Sequence, residues 1–195
     1  MGGGIKALMP LAGKSLLQHV IDRVSPQVAE LFLSVETPAP EFDRFGLEQV
    51  PDPKPGSNGP LGGLLASLER ATTADCCDWL LLAPCDAPFL PRDLVARLLS
   101  EARQEDSGEV RVIVPRAEGH LQPTFAVWHV STREAVQSAL SKRGGAGLLD
   151  VLRQLPHRVV DWPATNPPAF FNVNTRADLD QAADWLQSAT TTPSR

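Results

Sequence analysis

The sequence predicts a three-layer α/β domain with a mostly parallel central sheet, and three observations carry that prediction. Apolar runs of strand length alternate with amphipathic segments of helical length almost from end to end. One run, Trp79-Leu80-Leu81-Leu82-Ala83, is apolar throughout, as a strand covered on both faces by helices must be. With 195 residues, 43% hydrophobic and 21% charged, the chain can bury one sizeable core, and it has the composition of a globular protein.

The elements follow in order. Ser15 to Val24 sets Leu16, Leu17, Val20, Ile21 and Val24 at helical spacing with Gln18, Asp22 and Arg23 opposite. Leu31 to Val35 reads as a buried strand, and a proline-rich connection leads to a short segment ending at Val50, Pro51 and Asp52. Pro60 to Ala71 has helical spacing with a proline in its first turn. The apolar run from Trp79 is the clearest strand, followed by a helix over Pro91 to Arg103 and a strand over Val110 to Val114. Strands at Pro123 to Trp128, Arg158 to Trp162 and Phe170 to Val173 then alternate with helices at Ser131 to Leu140, Ala146 to Leu155 and Thr175 to Gln187. These elements make one domain over residues 1–187, with residues 188–195 as a polar tail.

In such folds ligands bind beyond the carboxyl ends of the strands, so polar residues at those ends carry the functional reading. Asp86, in Pro84-Cys85-Asp86-Ala87-Pro88, directly follows the apolar strand and is held between two prolines. A carboxylate so placed either presents a divalent cation to a phosphate or closes a turn before the next helix. Asp52 also follows a strand and precedes Gly59-Pro60-Leu61-Gly62-Gly63, where small residues at a helix start either admit an anion or form an ordinary loop. In Phe171-Asn172-Val173-Asn174-Thr175, two-residue periodicity turns Asn172 and Asn174 to one face, and Asn174 or Thr175 is also placed to cap the following helix. Gly2-Gly3-Gly4-Ile5-Lys6 has the form of the exit from a phosphate-binding loop with Lys6 as a point charge, or of a plain flexible end.

Other features are assigned to structure. His19, His120, His129 and His157 show no grouping with a nucleophile and are assigned to surface or packing roles. Lys142 and Arg143, before Gly144 and Gly145, read as a solvated helix end with an anion contact as the alternative. Cys76, Cys77 and Cys85 form no Cys-x-x-Cys pair, which argues against zinc.

The net charge of −5 argues against nucleic acid as a partner, and no run is long enough to span a bilayer. With no secretory pattern at the amino terminus, the expected location is the cytoplasm.

Taken together the motifs resemble the molybdenum cofactor guanylyltransferases, the MobA-type enzymes. Met1 to Lys6 followed by Leu11-Ala12-Gly13-Lys14-Ser15-Leu16-Leu17 is similar to the second half of that family's L-A-G-G-x-x-x-R-M-G-G-x-x-K and G-[KR]-P-L signature. Gly59-Pro60-Leu61-Gly62-Gly63 resembles its G-P-L-x-G, Pro84 to Pro88 its P-C-D-x-P, and Asn172-Val173-Asn174-Thr175 its N-x-N-T. The resemblance implies a Rossmann-like nucleotidyltransferase fold that transfers GMP from GTP to molybdopterin and releases pyrophosphate. It further implies that Asp86 holds Mg2+, that Gly3, Gly4 and Lys6 contact nucleotide phosphates, and that Asp52 with Gly59, Pro60, Leu61 and Gly63 seats guanosine. Asn172 and Asn174 would face molybdopterin, and a molybdoenzyme or cofactor-insertion protein would be a further partner.

The departures bear on fold and specificity. The family's first strand and L-A-G-G loop have no counterpart after Met1, so the expected sheet lacks its first strand. Ile5 stands where the family commonly has aspartate, Ser15 where it has proline, and Ser34 and Glu36 where asparagines help the guanine site. The alternatives are a cytidylyltransferase acting on the same cofactor and a non-catalytic protein that binds molybdopterin or docks to a molybdoenzyme.

Overall fold

The computed structural model describes residues 5–53, 59–74, 77–102, 109–141 and 147–191. The chain opens with a turn at Lys6–Leu8 and a small hairpin, β1 (Pro10–Leu11) and β2 (Lys14–Ser15), whose two-residue turn uses left-handed Ala12 (φ 47°) and Gly13 (φ 83°). Positive φ at both central residues matches the twist of paired strands. Helix α1 (Leu16–Val24) begins where Ser15 Oγ accepts the Gln18 amide at 3.2 Å, an ordinary N-cap.

Two parallel strands come next, β3 (Leu33–Val35) and β4 (Gln49–Pro51), then helix α2 (Gly59–Ala74). Strand β5 (Trp79–Leu81) precedes α3 (Leu94–Ala102), the hairpin β6 (Val112–Ala117) and β7 (His120–Leu121), and β8 (Val127–His129). Helices α4 (Arg133–Ser141) and α5 (Leu148–Leu152), strand β9 (His157–Asp161) and α6 (Arg176–Thr191) complete the described chain. Residues 188–191 thus continue α6 rather than standing apart as a tail.

Strands β5, β8, β6 and β7 pair in that order, and β9 pairs with β6. β8 is antiparallel to both β5 and β6, so β5 and β6 share a direction, which β9 shares through its parallel pairing with β6. β7 is antiparallel to β6 as well, so among the described residues three ladders of this sheet are antiparallel and one is parallel, and the mostly parallel sheet expected from the sequence is instead a mixed one.

Side-chain alternation produces the layers. Val112, Val114, Ala126 and Trp128 face one way, with Leu64 and Leu68 of α2, Val136 of α4 and Leu152 of α5. Ile113 and Val127 face the other way, with Val20 of α1 and Leu94 and Leu98 of α3. A third cluster, including Leu11, Leu16, Phe89, Val173 and Leu179, seats α6 beside the hairpin. Phe89, Phe171 and Trp185 interlock there edge to face or tilted, with centroids 5.0–6.3 Å apart.

The β3–β4 pair is not hydrogen-bonded to the five-stranded sheet. Between them run two neighbouring cavities of about 270 and 310 Å³, lined by residues of the 31–36 segment on one side and of the 79–85 segment on the other. Trp79 and Leu81 line the first of these cavities, which explains why they are half-buried where burial on both faces was expected. Helix α2 ties the pair down: Arg70 donates to Glu30 at 2.7 Å and to Glu48 at 2.8 Å. Phe170 to Val173, expected as a strand, belongs to no regular element. Its backbone is held by a turn bond from Phe171 N–H to Pro168 O at 3.3 Å and by Val173 N–H to Asp86 O at 2.9 Å, not by a strand ladder.

Candidate active site

The corner after β5 is the centre of the site. Leu82 N–H still bonds to Ala126 O at 3.0 Å, after which prolines 84 and 88 leave the sheet with Asp86 between them. Asp86 O accepts the Val173 amide at 2.9 Å, so the 170–174 loop is fixed against this corner. The carboxylate is little exposed and pairs with Lys6 Nζ. Lys6 also donates to Asn174 Oδ1 at 2.7 Å. Three residues, from the amino-terminal turn, the β5 corner and the last loop, thus meet on one ammonium group.

Asn174 is held in turn by the start of α6. Asp178 Oδ2 accepts the amides of Asn174 at 2.8 Å and Thr175 at 2.7 Å, while Thr175 Oγ1 accepts the Asp178 amide at 3.1 Å. This reciprocal cap assigns the capping role to Thr175 and leaves the Asn174 side chain free to face Lys6. The amides of Asn174 and then Thr175 hold the Asp178 carboxyl below the usual aspartate range.

The 310 Å³ cavity reaches this corner at Pro84 and Cys85. Its wall includes Asp52, Gly59, Pro60, Gly63, Ser34 and Cys85. The Asp52 amide continues the sheet pairing with Val35 O at 2.8 Å, and its carboxylate lies 3.4 Å from Ser34 Oγ. Burial raises the Asp52 pKa; the Ser34 contact opposes this and Glu36 adds to it. Gly63 is required by closeness: a Cβ there would lie 2.5 Å from Ser34 Oγ. Desolvation in the cleft wall, with Asp86 next to it, raises the Cys85 thiol, so it stays protonated at neutral pH.

A separate cavity of about 340 Å³ has a wall that includes Asn172, Asn174 and residues of the β6–β7 hairpin. The two asparagines share this cavity as expected, although a loop and not a strand brings them there.

The sequence-derived candidates divide accordingly. Lys6, Asp86 and Asn174 are in contact; Asp52, Gly59, Pro60 and Gly63 share one cavity and Asn172 lines the other. Leu61 is corrected: it is 1% exposed in the core beside Leu64 and Leu65, because the helical turn that opens Gly63 toward Ser34 sends Leu61 inward. Gly3, Gly4, Cys76 and the segment containing Lys142 and Arg143 lie outside the described residues. Glu118, His120 and Gln122, which also line the Asn172 cavity, were not singled out as ligands, since a Glu-Gly turn carries no chemical signature of its own.

The donor set fits a magnesium ion. Two hard oxygens, from Asp86 and Asn174, already converge on one cation, the ammonium of Lys6. Among the described residues no group of three or more His, Cys, Asp or Glu could form a cage by itself. Magnesium takes one or two carboxylates and completes its shell with water and substrate phosphate.

A three-layer α/β domain that gathers Lys6, Asp86 and Asn174 at the end of a strand has the architecture of the nucleotidyltransferases. Within that class the chain belongs to the MobA-like NTP transferase family, whose domain model matches residues 1–159. It is 37% identical over 193 residues to a molybdenum cofactor guanylyltransferase of Mesorhizobium japonicum, covering 97% of this chain and 91% of that protein. A guanylyltransferase of the same name from Bradyrhizobium sp. is also 37% identical, over 93% of this chain and 85% of the relative. In fold the chain is similar to molybdopterin-guanine dinucleotide biosynthesis protein A from Archaeoglobus fulgidus, with a TM-score of 0.76 at 21% identity over 95% and 92% of the two chains. It is also similar to 2-C-methyl-D-erythritol 4-phosphate cytidylyltransferase from Thermus thermophilus, with a TM-score of 0.69 at 20% identity over 95% of each. Among the described residues no helix is long and apolar enough to cross a membrane.

Proposed function

We propose that this chain transfers GMP from GTP to the terminal phosphate of molybdopterin. An acceptor phosphate oxygen attacks the α-phosphorus, the bond from that phosphorus to the bridging oxygen breaks, and pyrophosphate leaves with the electron pair. Such a reaction needs alignment and charge neutralisation and little covalent work from the protein.

The observation that carries this reading is the Lys6–Asp86–Asn174 cluster, whose Asp86 follows Cys85 in the wall of one cavity and whose Asn174 lines another. A transfer between two substrates needs that arrangement: a donor site, an acceptor site, and cation chemistry where their phosphates meet. The Asp52 cavity suits guanosine, because a carboxylate can accept both the ring N–H and the exocyclic amine of guanine, an edge that cytosine lacks. Guanylyltransferase relatives at 37% identity support the same choice over CTP.

Asp86 would hold magnesium together with triphosphate oxygens, and the bound ion would supply charge neutralisation of the polyphosphate. Lys6 contacts phosphate as a point charge once GTP competes for it. Asn172 and Asn174 face the acceptor. We assign the protein to the cytoplasm, where GTP is supplied, with a molybdoenzyme or insertion protein as recipient of its product.

The test is pyrophosphate release with molybdopterin and magnesium, run in parallel with GTP and CTP. Release dependent on GTP and acceptor is the expected result. Preference for CTP would move the chain to the sibling activity, and GTP binding without release would make it a binding protein.

A further inference from the structure

Strand β9 ends the five-stranded sheet on its side: it pairs with β6, and among the described residues no strand pairs with its other edge. The ends of the ladder show which backbone groups face outward. Pro156 O accepts the Val112 amide at 3.3 Å, and the Trp162 amide donates to Arg116 O at 2.8 Å, so residues 156 and 162 both turn toward β6. Alternate residues of an extended strand turn the same way, so His157, Val159 and Asp161 direct their N–H and C=O groups away from the sheet. A row of such groups is a template for a further strand. Asp161 O accepts one long bond, 3.4 Å, from Arg97 Nη2, which leaves that oxygen a second lone pair.

Natural edges are blunted by proline, lysine or a bulge. β9 contains neither proline nor lysine, its register with β6 runs unbroken, and its middle residue, Val159, is 37% exposed. Val159 pairs in register with Val114, so it lies on the sheet face that α5 covers, and α5 itself leaves Leu149 exposed. The order His157-Arg158-Val159-Val160-Asp161 complements itself when reversed. Antiparallel pairing about Val159 sets valine on valine and His157 opposite Asp161 at both ends, whereas parallel pairing would set Asp161 against Asp161. Arg116 donates to Asp161 at 2.6 and 2.8 Å and holds its carboxyl below the usual aspartate range, so an ionised carboxylate meets the imidazole. On the opposite face Arg158 lies 3.6 Å from Glu101, so no like charges are forced together without a counter-charge.

We propose that the open edge of β9 binds a second copy of this chain, the two β9 strands pairing antiparallel about a two-fold axis at Val159 so that the sheet continues from one copy into the other. A two-fold contact of this kind uses the same surface on both copies and closes at two. In an antiparallel ladder, opposed residues with outward groups exchange two backbone hydrogen bonds, so Val159 with Val159 and His157 with Asp161 carry the pairing. None of residues 157–161 lines the three cavities described above, so this pairing is independent of the transfer reading.

The experiment is sedimentation equilibrium of the full chain over a concentration series. The mass of the wild-type chain should rise toward twice the 21.0 kDa of one copy. Val159→Lys and Val159→Glu each bring like charges together on the axis while replacing an exposed side chain, so each variant alone should self-associate about tenfold more weakly or worse, with circular dichroism unchanged. Mixed in equal amounts, the two variants should regain the dimer, because opposite charges then meet on the axis. A wild-type chain that stays at the mass of one copy throughout, or a dimer undiminished in both single variants, would overturn the proposal. So would a mixture that associates no more tightly than either variant alone, since residue 159 would then not meet its own counterpart.

Discussion

The amide of Val173 donates a 2.9 Å hydrogen bond to the carbonyl oxygen of Asp86. This bond is backbone to backbone, so it joins the acceptor-side loop to the β5 corner whatever side chain stands at position 86. Chemistry and architecture can therefore be separated by substitution at that residue.

Asp86→Ala should keep the fold and lose the activity. A hydrogen bond to a charged group is worth about 1.5–3 kcal/mol, so removing the carboxylate from beside the reacting phosphates should lower turnover with magnesium at least tenfold and up to about a hundredfold. Circular dichroism and the thermal midpoint should stay close to wild type. Near-normal turnover would remove Asp86 from the mechanism.

Lys6→Met should weaken GTP more than it weakens the fold. The ammonium, about a third exposed, is shared between Asp86 and Asn174, and partly exposed ion pairs add little stability. GTP should therefore protect the variant less against thermal unfolding than it protects wild type. Equal protection would show that Lys6 does not reach the nucleotide.

Gly63→Ala should act at a distance from the chemistry. The added methyl group meets Ser34 Oγ at 2.5 Å and lies 3.6 Å from Asp52 Oδ1, so one of the walls of the 310 Å³ cavity must shift. Overpacking of this kind costs about 1–3 kcal/mol. Lower stability with reduced GTP affinity is the expected pair of results, and a variant matching wild type in both would show that Ser34 swings aside freely.

Asp52→Asn should separate stability from binding. Burial raises the Asp52 pKa, so its contribution to stability is present below the ordinary aspartate value of about 3.9 and is lost as pH rises through the raised one. At neutral pH the charge is a burden on the free protein. The asparagine variant should melt slightly higher than wild type at pH 7 and bind GTP more weakly. GTP affinity of wild type should also fall as the pH drops through the raised value, and a flat profile would argue against ionised Asp52 in the base site.

Asp178→Ala should destabilise the start of α6 in a pH-dependent way. The folded pKa is depressed, so the stabilisation is complete above about 3.9 and disappears as pH falls through the lower folded value. Melting curves of variant and wild type should differ at pH 7 and converge in strong acid. A difference that persists there would mean the cap acts through packing alone.

Much of the site was legible because strand ends, prolines and glycines are local signals. Asp86 between two prolines after an apolar run, and Asp52 after a second strand, are found by position alone. The hairpins at Ala12-Gly13 and Glu118-Gly119 were not, because left-handed alanine and glutamate are set by the pairing of their flanks and not by preference. Leu61 shows the opposite error: the motif around it suggests a role in ligand binding, while helical periodicity places it in the core.

The sequence by itself determined the alternation of elements, the two acidic strand ends and the asparagine pair, since each depends on residues within a few positions of one another. Only the tertiary structure decided that Lys6, Asp86 and Asn174 meet on one charge, that β8 runs against its neighbours, and that the 117–122 hairpin shares a cavity with Asn172. The physical reason is range: hydrophobic period and capping are written in neighbouring residues, whereas hydrogen bonds between side chains 80 or 168 positions apart exist only once the packed layers have fixed where each loop ends.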